Sequence, residues 1–355
     1  MELLDDLDAI GKLDASGMGD AIAGLPQQCR EAWAAAQEMA LPPAYALAEN
    51  VVIAGMGGSA IGGALLQGII AGECPVPLLI SRDYDLPAFV DERTLVIASS
   101  YSGNTEETLS AARQARERGA RLIVLAAGGE LLRLAREWGA PAHTISFKGQ
   151  PRAALGHSLM ALLAIAQRLG WVADKSADVA DAVAVMGRWA GEISPLVPTE
   201  KNPAKQMAMR LHGRIPFIYG AEHLAQVAVR WQGQFNENAK HFAGHAILPE
   251  LCHNMVEGFR HPDGVGAPLT VFILRSERYH PRNVLRCDIT GEILSRSGVA
   301  WETVRPGGER RLAEALSLVY LGDWVSYYLA LLNGEDPTTI ANIGHVKRRL
   351  AESGA

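Results

Sequence analysis

Two stretches of the chain are rich in groups that can hold an anion. The first, GMGGSAIGG at 55–63, follows the apolar run VVIA and precedes a helical pattern. Its glycines let backbone approach a ligand, and a helix starting at Ser59 offers unpaired amides and a partial positive charge. The second, SYSGNTEETL at 100–109, closes the apolar run TLVIAS with Ser100, Ser102 and Thr105 around Gly103. Thr105 is placed to cap the next helix, but capping leaves Ser100 and Ser102 unexplained. Hydroxyls and loop amides in such a cradle suit the oxygens of a phosphate.

Other groupings point to other chemistry. Gly55, Gly57 and Ala60 fit the GxGxxG/A dinucleotide pattern, with Asp83 after the next strand in place for a ribose hydroxyl. A dinucleotide, however, does not need a second hydroxyl cradle one strand further on. His241 and His245, four apart as on one helix face, precede Glu250, Cys252 and His253 and suggest zinc ligands. Against that reading, the adjacent positions 252 and 253 point in different directions.

Such loops need a rigid frame. From residue 51, short apolar runs alternate with helical ones: VVIAGM, SAIGGALLQGIIAG, PLLIS, TLVIASS, TEETLSAARQARERG, RLIVLAA, ELLRLAREWG and HTISF. This alternation predicts a doubly wound α/β fold, a parallel sheet covered by helices on both faces, with both loops at its carboxyl edge. Residues 1–48 read as an N-terminal helical segment. Helices at 153–169 and 175–193 lead to the Pro-marked SPLVPTEKNP at 194–203, the expected connection. IPFIYG at 215–220 then leads into a helix near His223, and LTVFILRS at 269–276 supplies another buried strand. The order of elements restarts there, as in a diverged second copy. The C-terminus reads as helical in two pieces split at Asp336-Pro337.

Composition narrows the function classes. A chain of 355 residues exceeds one ordinary domain, and 48% hydrophobic with 20% charged residues fits a globular protein. No apolar run reaches about 18 residues, and the acidic start MELLDDLDAIGKLD is unlike a leader peptide, so a cytoplasmic protein without a membrane partner is expected. Cys29, Cys74, Cys252 and Cys287 are far apart and form no CxxC pair, which favours reduced thiols. A net charge of −6 argues against nucleic acid, yet a nest of backbone amides can bind phosphate on an acidic protein.

Taken in order, GMGGSAIGG, SYSGNTEET and NENAKHFAGHAILPELCHN resemble the motifs of the sugar isomerase (SIS) superfamily, and within it the bifunctional phosphoglucose/phosphomannose isomerases. The likeness covers nearly the whole chain. It implies a first SIS domain at 49–173, a connecting helix and linker at 174–203 and a second SIS domain at 204–355. It also implies no cofactor or metal, a homodimer with a shared active site, and interconversion of glucose 6-phosphate or mannose 6-phosphate with fructose 6-phosphate. That reaction needs a base near two adjacent carbons, a cation or dipole for the enediolate oxygens, and an acid/base to open the sugar ring.

By resemblance, Ser100, Ser102 and Thr105 grip the phosphate, and Gly57, Gly58 and Ser59 line the sugar side. Glu237 in NENAK is the base, although by itself it reads as a solvated carboxylate. His253, by itself a partly buried structural histidine, opens the ring and reaches the site from the neighbouring subunit. Arg152, directly after a proline at the first turn of a long helix, opposes the helix dipole, which favours a ligand role. The resemblance has it steady the enediolate. Lys347 looks like any exposed helical lysine, and the resemblance makes it a substrate contact. Met255 stands where many relatives carry an acidic residue, leaving the preference between glucose and mannose epimers open. Thr338 and Thr339 are candidates for shaping the pocket around carbon 2. A SIS protein that only senses a sugar phosphate would lack the base, and an amino-sugar phosphate remains an alternative substrate.

Overall fold

The structure, a computed structural model, describes residues 2–353. Four helices, α1 (Glu2–Asp5), α2 (Leu7–Leu13), α3 (Met18–Ala23) and α4 (Leu25–Gln37), open the chain. Strands β1 (Asn50–Ala54), β2 (Leu78–Ser81), β3 (Thr94–Ser99), β4 (Arg121–Ala126) and β5 (Ala142–Thr144) follow, with helices α5 (Gly57–Ile70), α6 (Glu106–Glu117) and α7 (Gly129–Trp138) between them. All five strands are parallel, in the order β2-β1-β3-β4-β5. The chain moves outward from β1 to β2 and then returns to the other side of β1 with β3. The loops after β1 and β3 therefore diverge at this switch point and leave a crevice between them. Every residue of β3 is buried, as its uninterrupted apolar run requires of a central strand.

Helices α8 (Leu155–Arg168), α9 (Ser176–Ile193) and α10 (Pro203–Leu211) lead to a second parallel sheet. It contains β6 (Ile215–Ala221), β7 (Gly244–Leu248), β8 (Leu269–Leu274) and β9 (Ala300–Val304), with α11 (Ala225–Asn238) and α12 (Pro281–Arg296) between strands. Its order, β7-β6-β8-β9, repeats β2-β1-β3-β4 of the first sheet. Helices α13 (Arg311–Leu332) and α14 (Ala341–Ser353) finish the chain.

One hydrophobic cluster runs through both halves and includes residues of β1, α8, α9, α10, β6 and α13. Long and apolar enough to cross a membrane, α13 is 94% buried over its most apolar window and serves as the central helix of this core. Residues 194–203 are packed rather than loose. Thr199 donates through both its amide and its hydroxyl to Asp5 at 2.9 Å, and Asn202 accepts from the Lys205 amide at 3.0 Å to cap α10. Lys205 is fully buried, donates to Asp5 at 3.0 Å and to the Pro195 carbonyl at 2.9 Å, and lies over the Tyr328 ring. Hydrogen bonding to Lys205 and Thr199 holds the Asp5 carboxyl below its usual range against the opposing effect of burial.

Candidate active site

Both glycine-bearing loops lie at the carboxyl edge of the first sheet and are tied together. The helix after β1 starts at Gly57, two residues before the expected Ser59, so Ser59 sits inside the first turn. Its hydroxyl accepts from the Tyr101 amide at 3.0 Å, joining loop 55–59 to loop 100–105. Gly58 leaves no room for a side chain: a Cβ would lie 2.9 Å from the Pro151 carbonyl carbon and 3.0 Å from the Arg152 amide nitrogen. Backbone thus meets backbone where the first loop abuts the turn that carries Arg152.

The expected cap is replaced by a different bond. Thr105 is the N-cap residue of α6, but its side chain makes no capping bond. Instead its Oγ1 lies 2.8 Å from the Ser100 Oγ, and Ser100 Oγ also accepts from the Gly103 amide at 3.2 Å. Ser102 Oγ accepts from the Asn104 amide at 3.2 Å. Gly103, at a φ of 69°, packs so tightly that a Cβ would lie 1.9 Å from the Gly128 carbonyl. The result is a compact ring of hydroxyls and amides with Ser100 buried in its floor and Ser102 exposed.

Arg152 comes from a short 3-10 turn, Pro151–Ala153, ahead of α8 rather than from the first turn of the long helix. Its side chain is 3% exposed. Nε donates to Asn238 Oδ1 at 2.7 Å, and Nη2 donates to the carbonyls of Pro337 and Thr338 at 2.7 and 2.9 Å. Nη1 faces Glu237, 3.6 Å from its Oε2. Burial pushes the guanidinium pKa down and the Glu237 carboxylate pulls it back up, but an arginine keeps its charge through any such shift near neutral pH. Beneath it, Arg230 donates to the Arg152 carbonyl at 2.8 Å and pairs with buried Asp323 at 3.0 Å. Burial raises the Asp323 pKa against the opposing pull of Arg230.

Three further residues, absent from the sequence expectations, belong to this cluster: Asn238, Arg230 and Asp323. Lys240 is a fourth, held at a φ of 50° and donating to the carbonyls of Asn238 and Asp336. Burial foremost, and then Arg152, push its pKa down. Its place after the end of α11, within NENAK, was a signal; Arg230 and Asp323 lie 93 positions apart and carried none.

Among the described residues neither His253 nor Lys347 makes a side-chain hydrogen bond or ion pair to this cluster. Glu237 sits in the last turn of α11, beside the amino end of β7, where Asn236 accepts from the Ala243 amide at 3.1 Å. His253 follows the carboxyl end of β7, whose five residues span about 16 Å. Exposed, His253 makes no side-chain hydrogen bond among the described residues. Lys347 lies on α14, which has no buried residue. Of the pocket candidates, Thr338 has a buried hydroxyl without a hydrogen-bond partner, and Thr339 donates to the Asp336 carbonyl at 3.3 Å. Met255 is half-buried against the core.

The zinc reading fails on its geometry. His241 and His245 do not share a helix, because α11 ends at Asn238 and β7 begins at Gly244. His241 is bonded to the Arg214 carbonyl and to Asn333, and His245 to Gln232. Among the described residues no three His, Cys, Asp or Glu side chains gather as a metal site.

Comparison with known proteins agrees with this architecture. Residues 47–138 match the SIS domain, and residues 200–350 match the bacterial phospho-glucose isomerase C-terminal SIS domain. The bifunctional phosphoglucose/phosphomannose isomerase of Caldicellulosiruptor bescii is 39% identical over 336 residues, which cover 94% of this chain and 99% of that protein. The protein of the same name from Aquifex aeolicus is 36% identical over 303 residues, covering 85% of this chain and 90% of the relative. In fold, a glucose-6-phosphate isomerase like protein from Thermus thermophilus matches with a TM-score of 0.64 at 21% identity, over 95% of this chain and 98% of that one. The first matched segment holds both loops and the second holds Glu237, His253 and Lys347, while Arg152 falls between them.

Proposed function

Because this chain belongs to the family of bifunctional phosphoglucose/phosphomannose isomerases, we propose that it interconverts glucose 6-phosphate and mannose 6-phosphate with fructose 6-phosphate through a cis-enediol. It is an enzyme of the intramolecular oxidoreductase class, working in the cytoplasm as a homodimer. The observation that carries the reading is the meeting of Arg152 Nη1 and Glu237 at 3.6 Å, with the Arg152 turn packed on the Gly58 loop that Ser59 ties to the hydroxyl ring. A carboxylate and a buried cation next to an anion cradle are what proton transfer next to a carbonyl requires.

In this reading Ser100, Ser102 and Thr105 hold the phosphate, and Gly57, Gly58 and Ser59 border the sugar. Glu237 moves the proton between carbons 2 and 1, and Arg152 stabilises the enediolate oxygens. Lys347 contacts the substrate, and His253 of a second copy opens the ring. The separation of His253 from Glu237 along β7 supports its coming from another subunit. The test is a coupled assay for fructose 6-phosphate formed from each of the two aldose phosphates. Turnover of both is expected; turnover of neither by purified dimer would overturn the assignment.

The phosphate loop gives a second test. Ser100→Ala with Ser102→Ala should weaken sugar-phosphate binding at least about tenfold, since each hydrogen bond to a charged oxygen contributes about 1.5 to 3 kcal/mol. Titration with 6-phosphogluconate, an enediolate-like competitor, reads this directly. Unchanged affinity would remove the two serines from the phosphate site.

A further inference from the structure

We infer that Asn238 is a positioning residue for the isomerisation, holding the Arg152 guanidinium so that Nη1 alone is left to serve the reacting oxygens. The inference rests on the proposed roles of Arg152 and Glu237 and goes beyond them. Asn238 is fully buried at the end of α11, directly after Glu237. Its Oδ1 accepts from Arg152 Nε at 2.7 Å, and its Nδ2 donates to Ser326 Oγ at 3.0 Å. The Ser326 hydroxyl in turn donates to the Asp323 carbonyl at 2.7 Å, so it is free to accept and the amide orientation is fixed. One helix turn thereby sets both partners: the base by its place in the chain and the cation by this hydrogen bond.

The chemistry of an amide matters here. Arg152 Nη2 is taken by two carbonyls and Nε by a neutral amide oxygen, so among the described residues the carboxylate in ion-pair range of the guanidinium is Glu237. The other charged groups nearby are Arg230 and Asp323, paired with each other beneath, Lys240, whose ammonium is bound to carbonyls, and Asp336, whose carboxylate accepts from the Thr338 amide at 2.7 Å. A carboxylate at 238 would neutralise Arg152 and place a second negative charge on the guanidinium that Glu237 faces. The enediolate would lose cationic stabilisation.

The experiment is Asn238→Asp, which keeps the shape of the side chain, measured on glucose 6-phosphate. We expect kcat to fall about 10- to 100-fold, less than the about 10²- to 10³-fold for deleting a stabilising donor outright, because Arg152 itself remains. The KM should change little, since the phosphate cradle is untouched. A purely structural role would lower Tm and cut kcat only in proportion to the folded fraction. Wild-type kcat per folded enzyme would overturn the inference. Should Asn238→Asp not fold, Ser326→Ala decides, because it releases the amide without touching Arg152 or Glu237. A several-fold drop in kcat at constant KM supports the role, and an unchanged kcat ends it. Arg152→Lys is the control for the parent reading: if it keeps full kcat, the role of Arg152 itself fails, whereas its loss alongside an unaffected Asn238→Asp sinks this inference alone.

Discussion

Glu237→Gln is expected to bind sugar phosphate almost normally and to turn it over about 10²- to 10⁴-fold more slowly, the range typical of a positioned general base. Gln keeps the length and planarity of Glu and can still face Nη1 of Arg152, whose buried guanidinium is held through Nε and Nη2 by three contacts. The hydroxyl ring follows β3 of the first sheet and, among the described residues, makes no hydrogen bond to Glu237, so the phosphate grip is preserved. What the amide cannot do is accept a proton from carbon. The loss should therefore fall on kcat with little change in KM, the pattern of an interaction made chiefly in the transition state. A near-normal kcat would move the base elsewhere. Glu250 is exposed, and Glu222 is occupied by the His280 amide and Asn283 at 2.7 and 2.8 Å, which makes Glu222 the weaker substitute.

Mixing inactive Glu237→Gln with inactive His253→Ala should restore about a quarter of the wild-type activity, because random exchange in a two-fold dimer makes half the dimers mixed and rebuilds one of their two sites. The expectation follows from the separation of the two residues along β7. The last turn of α11 lies at one end of this strand and His253 beyond the other. A site that draws Glu237 from one copy and His253 from the other is complete in one arrangement of a mixed dimer and dead in both parent dimers. Activity that stays at the parental level after demonstrated subunit exchange would place His253 outside the shared site.

The first sheet was legible at its centre, because β1, β3 and β4 are continuous apolar runs between helical patterns, whereas the edge strand β5 (AHT) is short and half polar. The second was likewise legible only at its centre. β6 and β8 are apolar, whereas the edge strands β7 (GHAIL) and β9 (AWETV) are half-exposed and mix polar with apolar residues. Across the turn into β7 the spacing of His241 and His245 imitated a helix, which produced the zinc reading.

At the site, the loop hydroxyls could be read because strand-to-helix connections rarely carry three of them. The partners that shape the site could not. Thr105 was read as a cap, yet its hydroxyl bonds Ser100, a choice set by the loop conformation around Gly103. Arg152 meets Asn238 across 86 positions, and Arg230 on α11 meets Asp323 in the middle of α13. Local pattern carries no trace of such long-range pairs. Glu237 and His253 became recognisable only through the likeness of NENAK and its neighbours to a family.

The most direct measurement is deuterium incorporation at carbon 2 of glucose 6-phosphate, followed by NMR in D₂O with wild-type enzyme and with Glu237→Gln. If Glu237 abstracts that proton to form the enediol, the wild type exchanges it as fructose 6-phosphate accumulates, and the variant shows neither exchange nor product at comparable times. Exchange at carbon 2 persisting at the wild-type rate in Glu237→Gln would contradict the account.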